Sequence, residues 1–240
     1  MDPSTAAYGA AVVALAYVVR GMAGFGSGLI AIPLLSLVFP VTTVVPVVVG
    51  LDFLASAAQG FKNWRSISWR TLLPLVPATV IGVFTAVYLL RSLDGSTLLA
   101  ALGIFVLAFS AYQLLPLPEL RGGAMHAAPL GFLGGLIGTL FGTGGPLYVM
   151  YFTLRGLTKE AFRASFAAYF VVDGSIRIGS YLWYGFLGHE GETVIALALP
   201  VMALALYGGG KLHFRLPQQT FKKLISVLLA ASGTLLLIKA

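Results

Sequence analysis

The sequence predicts an all-α polytopic membrane protein, and three observations support this fold class. The chain is 58% hydrophobic and only 10% charged, with a mean hydropathy of +0.94, whereas soluble domains carry about 25% charged residues. A glycine-rich motif occurs twice, once in each half. The apolar residues form runs near or above the ~20 residues that a helix needs to cross the hydrocarbon layer, and these runs are Ala7–Phe39, Val41–Phe61, Leu72–Leu90, Ser96–Leu115, Ala127–Leu154, Ala161–Trp183, Thr193–Tyr207 and Leu224–Ile238.

Composition narrows the possible functions. The chain has no cysteine, which excludes disulfides, iron–sulfur clusters and thiol catalysis. The net charge of +7 is attributed to Lys and Arg in cytoplasmic loops, so nucleic acid is not an expected partner. The expected partners are the lipid bilayer and a small anionic substrate. No cofactor and no metal site is predicted.

The first glycine-rich motif is similar to the second. Gly24–Pro33 reads GFGSGLIAIP and Leu140–Val149 reads LFGTGGPLYV, so both contain Phe-Gly-Ser/Thr-Gly, with Gly26 matched by Gly142, 116 residues later. Each motif is followed by a run that carries a central aspartate. We interpret residues 5–116 and 127–240 as two homologous transmembrane repeats, joined by a polar cytoplasmic linker at 117–126. Chance similarity between leucine-rich spans is the alternative.

Charged loops indicate that the two repeats have opposite orientations in the membrane. The loop after the second apolar run of the first repeat is basic, whereas its counterpart is acidic; the next pair of loops shows the reverse. Under the positive-inside rule, equivalent loops then lie on opposite sides. The residues concerned are Lys62, Arg65 and Arg70 against His189, Glu190 and Glu192, then Arg91 and Asp94 against Lys211, Arg215, Lys222 and Lys223.

An inverted repeat requires an odd number of crossings in each half. Ala7–Phe39 would be about 50 Å long as one helix, which is too long for one crossing and too short for two. We therefore predict that each repeat consists of a pair of short helices, folded back at the glycines, followed by three transmembrane helices. This arrangement places the basic loops in the cytoplasm and both termini outside.

The glycine motifs are predicted to form the substrate site. Non-helical backbone at membrane depth is tolerated where it lines a polar cavity, and helix N-termini bind anions through their free N–H groups. The helices that start at Gly26–Gly28 and at Gly142–Pro146 would meet and bind an anion, with Ser27 and Thr143 as hydroxyl ligands. Close helix packing is the alternative explanation for the glycines. The predicted binding residues of the motifs are Phe25, Gly26, Ser27, Gly28, Phe141, Gly142, Thr143, Gly144 and Gly145.

Ionisable residues within apolar runs are energetically costly and mark functional sites. Arg20 and Arg177 would supply positive charge to a bound anion. Asp52 and Asp173 would carry a coupling proton. Asp173 and Arg177 are four residues apart and share a helix face, so a purely structural ion pair is the alternative for them. Asp52 has no evident partner in the sequence.

With these motifs identified, the chain resembles the sulfite exporter TauE/SafE family of membrane permeases. The resemblance rests on the glycine-rich stretches Gly24–Pro33 and Gly138–Pro146, on the four-plus-four apolar layout and on the length. It implies export of small sulfur-containing anions, such as sulfite, sulfonates or thiosulfate, across a prokaryotic inner membrane. Family members often have Gly-Gly-Gly where this chain has Gly26-Ser27-Gly28, a difference that would alter the substrate.

The sequence therefore predicts a secondary transporter, and other classes remain open. An anion channel or a cation permease on the same scaffold are the closest alternatives. An intramembrane enzyme is disfavoured, because His126, His189 and His213 all fall at loops or run ends and none is placed to activate Ser27. The substrate, the direction of transport and the oligomeric state, with a homodimer as one option, are not determined by the sequence.

Overall fold

The computed structural model describes residues 3–23, 26–60, 65–114, 123–211 and 218–240, and every regular element in them is helical. A 3-10 turn at Ala124–His126 precedes the second half. The α-helices, in chain order, are α1 (Pro3–Ala23), α2 (Ser27–Ser36), α3 (Val41–Gly60), α4 (Trp69–Leu72), α5 (Leu75–Ser92), α6 (Gly95–Leu114), α7 (Ala127–Phe141), α8 (Gly145–Leu154), α9 (Lys159–Trp183), α10 (His189–Lys211) and α11 (Gln218–Lys239).

The two halves have the same order of long elements. A broken pair of helices, α1–α2 or α7–α8, comes first. Three longer helices follow, α3, α5 and α6 in the first half and α9, α10 and α11 in the second. Each predicted apolar run corresponds to one helix or to one broken pair. Within the described residues, four helices are long and apolar enough to cross a membrane, over Pro3–Met22, Leu75–Ser92, Gly95–Tyr112 and His189–Lys211.

Both predicted chain breaks are present, and each contains a glycine that a side chain would strain. Gly26 has φ 100° and Gly142 has φ 63°, which is the left-handed region that favours glycine. The helix after the first break starts at Ser27, and the helix after the second starts at Gly145. Pro146 lies in the first turn of α8, where its missing N–H costs nothing.

The broken pairs differ from the predicted pairs of short helices. α1 has 21 residues, or about 32 Å at 1.5 Å per residue, so it is long enough to cross the bilayer. α7 has 15 residues, and α2 and α8 have 10 each. The prediction of two short helices is therefore wrong for the first half, because the apolar run before the glycines is longer there.

Helices of one half pack mainly on helices of the other. The most extensive contacts join α1 to α10, α5 to α7, α3 to α9 and α6 to α11. Backbones approach closely at glycines in two of these pairs: a Cβ on Gly21 would lie 2.5 Å from the Leu206 carbonyl oxygen, and one on Gly135 would overlap the Thr79 carbonyl. Small residues permit this close packing in membranes. Close packing therefore explains these glycines.

The carboxyl end of α2 is held by polar groups from both ends of the chain. The Tyr8 hydroxyl on α1 donates to the Leu34 carbonyl (2.8 Å). Lys239 Nζ, at the end of α11, donates to the carbonyls of Ser36 (3.4 Å) and Leu37 (2.9 Å). A lysine at this position satisfies free carbonyls and complements the helix dipole. The short helix α2 is thus fixed against α1 and α11.

Candidate functional site

A buried polar cluster surrounds Asp52 near the start of α2. Its members are Tyr17, Arg20, Ser27, Asp52 and Ser56, hereafter the Asp52 cluster. Arg20 Nη1 lies 2.7 Å from Asp52 Oδ1, and the same oxygen accepts hydrogen bonds from the hydroxyls of Tyr17 (2.7 Å) and Ser27 (2.6 Å). Arg20 also donates to Ser27 Oγ (3.0 Å) and Ser56 Oγ (2.7 Å). The aspartate thus has a partner that the sequence did not reveal.

Helical spacing brings this cluster together from three helices. Tyr17 and Arg20 are three residues apart on α1, and Asp52 and Ser56 are four apart on α3, so each pair shares a helix face. Ser27 is the first residue of α2. Its hydroxyl donates to Asp52 and makes no capping hydrogen bond to the helix. Arg20 is 4% exposed; it is buried in the bundle and does not extend to the membrane surface.

A second polar cluster surrounds Asp173 on α9. Its members are Gly134, Tyr148, Asp173 and Arg177, hereafter the Asp173 cluster. Arg177 Nη2 lies 2.7 Å from Asp173 Oδ2, and the Tyr148 hydroxyl donates to Asp173 Oδ1 (2.9 Å). Arg177 also donates to the Gly134 carbonyl (3.2 Å) and to the Tyr148 hydroxyl (3.3 Å). The ion pair expected from the four-residue spacing is therefore present.

Glycines of the second motif make room for the Arg177 guanidinium. A Cβ on Gly144 would lie 2.6 Å from Arg177 Nη2 and 2.5 Å from the Gly134 carbonyl oxygen. A Cβ on Gly138 would overlap the guanidinium itself. The guanidinium cannot easily move away, because Asp173, Gly134 and Tyr148 hold it. Gly138 and Gly144 are thus needed to position the Arg177 guanidinium as well as for helix packing.

The two chain breaks touch each other. A Cβ on Gly28 would lie 2.6 Å from the carbonyl oxygen of Gly142 and 3.6 Å from Asp52 Oδ2. Gly142 in turn lies against the side chains of Ile32 and Val49. We call this contact, formed by residues 26–28 and 142–145, the junction. It has the Asp52 cluster on one side and, through Gly144, the Asp173 cluster on the other.

Several buried polar atoms near the junction have no hydrogen-bond partner among the described residues. They are Arg20 Nε, Thr139 Oγ1, Thr143 Oγ1 and Arg177 Nε. Thr143 is 4% exposed and lies within the junction, two residues before α8 starts at Gly145. A buried polar group without a partner costs about 1–3 kcal/mol. These unpartnered groups therefore require an explanation, and they make the junction the candidate functional site.

The remaining predicted site residues have varied positions. Gly26 forms the N-cap of α2, and a Cβ there would meet no atom within 4 Å. Gly145 faces the ring of Phe170. Phe141 is buried, and its ring centroid lies 5.4 Å from that of Phe105 on α6, so it belongs to the apolar core beside the junction. Phe25 lies outside the described residues.

A match to a known family extends over most of the chain. The model of the sulfite exporter TauE/SafE family matches residues 9–236. The chain belongs to the sulfite exporter TauE/SafE family. The matched residues include both glycine motifs and both aspartates, so the clusters described above lie within the family region. The chain is accordingly a helical membrane protein of a transporter family.

Two curated relatives of this TauE/SafE family member are transporters by name. The probable inner membrane transporter protein TsaS of Comamonas testosteroni is 27% identical over 192 residues, which cover 78% of this chain and 79% of the relative. The probable sulfite/organosulfonate exporter TauE of Cupriavidus necator is 26% identical over 227 residues, which cover 90% and 88%. No solved structure matches this chain.

Sequence reasoning missed three polar members of these clusters, Tyr17, Ser56 and Tyr148. Tyr17 and Ser56 lie three and four residues from a charged residue within an apolar run. Tyr148 is five residues beyond Thr143, inside the second motif. The missed signal is a hydroxyl at helical spacing from an intramembrane charge, since such a charge needs hydrogen-bond partners from the same helix face.

Proposed function

We propose that this family member is a secondary transporter that binds a small sulfur-containing anion at the junction. Sulfite, sulfonates and thiosulfate are the candidate substrates, and export across a prokaryotic inner membrane is the direction that the names of its relatives suggest. The observation that carries the proposal is the buried, unpartnered hydroxyl of Thr143, next in the chain to Gly144, which lies against the Arg177 guanidinium.

The donors at the junction suit an oxyanion. The first N–H groups of α8 have no partner within the helix, and the dipole favours negative charge at that end. The Thr143 hydroxyl and Arg177 Nε–H would add two donors from the second half. The start of α2 at Ser27 and the Nε–H of Arg20 supply equivalent donors from the first half.

The net charge of the buried side chains explains why an anion binds only if its charge is compensated. The two arginines are each paired with an aspartate, so the four ionised side chains carry no net charge. An additional anion in this desolvated region is unfavourable unless its charge is compensated. Protonation of one aspartate provides that compensation. We therefore propose proton-coupled transport through Asp52 or Asp173.

The helix order and the cross-packing of the halves support the inverted-repeat architecture as part of this proposal. α1 packs on α10 as its counterpart α7 packs on α5, and the equivalent helices α3 and α9, and α6 and α11, pack on each other. This is the pattern of a pseudo-twofold axis, and opposite loop charges place that axis in the membrane plane. Both termini then lie outside and the linker at 117–126 lies in the cytoplasm.

The test of the proposed function is solute counterflow in proteoliposomes with radiolabelled sulfite, thiosulfate, a sulfonate or sulfate. We expect saturable uptake of one sulfur anion, reduced at least tenfold in Thr143→Val because its substrate ligand is removed. Thr234→Val is the matched control, since Thr234 is exposed on α11 and bonds only its own helix. Equal flux in the two variants would contradict the site. Absence of saturable flux in the unmodified protein would contradict the substrate class.

The same assay separates a carrier from a channel. A carrier accumulates the labelled anion against its gradient when the unlabelled anion flows out, whereas a channel only equilibrates it. We expect transient accumulation, because the junction is enclosed by buried residues. Equilibration without overshoot would establish the channel.

A further inference from the structure

The two intramembrane aspartates have unequal surroundings. Asp173 uses both of its oxygens: Oδ1 accepts from Tyr148 and Oδ2 from Arg177. Its side chain is 2% exposed. Asp52 receives Tyr17, Ser27 and Arg20 on Oδ1 alone, and none of the described residues donates to its Oδ2. Its side chain is 14% exposed.

The free oxygen of Asp52 is directed toward the junction. Asp52 Oδ2 lies 3.6 Å from the position that a Cβ on Gly28 would occupy, and the same position lies 2.6 Å from the Gly142 carbonyl oxygen. A proton can therefore be added at Oδ2 without displacing a donor. A proton on either oxygen of Asp173 would face the hydroxyl of Tyr148 or the guanidinium of Arg177, both of which are donors.

We propose that Asp52 alone carries the coupling proton, on Oδ2, and that Asp173 stays ionised as the permanent partner of Arg177. This inference rests on the proposed function and assigns roles within its site. With Asp52 protonated, Arg20, Asp52, Asp173 and Arg177 carry a net charge of +1. One monovalent anion neutralises this charge. The favoured substrate is therefore a monoanion such as a sulfonate, which leaves the cell together with one proton along the outward gradient of the anion, and a dianion such as sulfate is disfavoured.

The other charged groups around Asp52 leave this balance unchanged. Tyr17 and Arg20 on α1 face Asp52. Asp173 and Arg177 on α9 are already counted in the charge balance. α2 and α7 contain no ionisable side chain. α6 contains only Tyr112, whose exposed ring stacks on Phe109. The charged groups of α10 lie at its two ends, at His189, Glu190, Glu192 and Lys211. Glu192 is three residues before Ile195, which contacts Gly50, and its side chain is 53% exposed.

The architecture also links protonation of Asp52 to movement. Its cluster joins α1, α2 and α3, so a neutral Asp52 weakens the bonds between three elements. Asp173 and Arg177 lie on the same helix, and their ion pair holds whether or not α9 moves relative to its neighbours. A proton on Asp52 therefore changes the relative stability of two arrangements of the halves, as a coupling group must.

The test compares Asp52→Asn with Asp173→Asn in proteoliposomes and uses methanesulfonate as the probe. We expect Asp52→Asn to exchange the anion at a rate independent of pH and to lose pH-gradient-driven accumulation at least tenfold. We expect Asp173→Asn to lose exchange as well, because Arg177 becomes an uncompensated buried charge. Asp94→Asn, an exposed acid between α5 and α6, is the matched control and should behave as the unmodified protein does.

Each outcome decides a different point. Undiminished pH-driven accumulation in Asp52→Asn would overturn the assignment of Asp52, provided that the unmodified protein transports the anion. A lack of transport by the unmodified protein would instead overturn the proposed function.

If Asp52→Asn does not fold, the unmodified protein still tests the charge balance. Methanesulfonate accumulation should not respond to an imposed membrane potential. A potential-dependent rate would contradict the one-proton, one-anion balance.

Discussion

Two guanidinium groups lie inside the helical bundle, and each is held by an aspartate and by hydroxyls. Arg177 and its partner share one helix, whereas Arg20 reaches Asp52 from a different helix. Asp52 and Asp173 are 121 residues apart, and so are Ser56 and Arg177, so the proposed repeat makes Arg177 the counterpart of Ser56. Arg20 donates to Ser56, so its guanidinium lies beside the residue that Arg177 replaces in the second half. Each half thus brings one guanidinium to this position, the first half from α1 and the second half from α9.

At the residue scale, we predict that Gly138→Ala destabilises the protein strongly. The added methyl group displaces the Arg177 guanidinium, which leaves Asp173 without its partner at a cost of about 3 kcal/mol or more. Thermal unfolding in detergent measures this effect. Gly179→Ala is the matched control, since a Cβ there meets no atom within 4 Å and alanine is the better helix former by about 1 kcal/mol. Equal melting temperatures for the two variants would contradict the role given to Gly138.

At the scale of elements, the sequence predicted the helices well, because each apolar run is close to the length of one helix or one broken pair. The glycine breaks and the first-turn position of Pro146 were also predictable, since only local backbone geometry decides them. The lengths of α1 and α2 within the first broken pair were not predictable. The pairing of Arg20 with Asp52 was not predictable either, because it depends on how α1 and α3 are placed relative to each other. The periodicity of a single apolar run contains no information about that placement.

Asp94 provides a prediction at this scale. It immediately precedes α6, its carbonyl accepts from the Leu98 N–H (3.1 Å), and its carboxylate accepts from Ser96 and Thr97. Hydrogen bonds from Ser96, then from Thr97, hold the pKa of the Asp94 carboxyl well below its usual value. A lowered pKa stabilises the folded protein above about pH 4, the usual range of aspartate, and this contribution is lost as the pH falls.

We therefore expect Asp94→Ala to lower the melting temperature at pH 7, and this difference from the unmodified protein to shrink as the pH falls below about 4. Asp94→Asn should retain most of the stability at pH 7, because asparagine caps helices nearly as well as aspartate. A series of melting curves from pH 7 to pH 3 measures this. A difference that stays constant over the whole series would show that the charge of Asp94 does not contribute.

At the scale of the whole molecule, the same order of helices in both halves and the cross-packing of α1 on α10 and α5 on α7 are consistent with a pseudo-twofold arrangement. The two halves are not equal within it. The hydrophobic side chains that α2 contributes to the core are aliphatic, whereas α8 contributes Tyr148, Tyr151 and Phe152 to an aromatic core with Tyr169. Tyr148 belongs to this core and to the Asp173 cluster, so the second half combines packing and charge in one side chain. A tyrosine fixed in an aromatic core suits a permanently paired arginine, and a cluster joined by hydrogen bonds between helices suits a proton-dependent one.

The inverted arrangement itself gives the last prediction, which the chain makes simple to test because it contains no cysteine. Arg70 lies in α4, after the second apolar run of the first half, and Glu190 lies in the first turn of α10, at the corresponding place in the second half. Both side chains are exposed. The positive-inside rule places Arg70 in the cytoplasm and Glu190 outside.

In intact cells, a membrane-impermeant maleimide should label Glu190→Cys, and it should label Arg70→Cys only after permeabilisation. The unmodified chain is the blank. Labelling of both variants from the same side would mean that the repeats are parallel, and the anion site would then lack the opposed helix starts that are proposed to supply its donors from both halves.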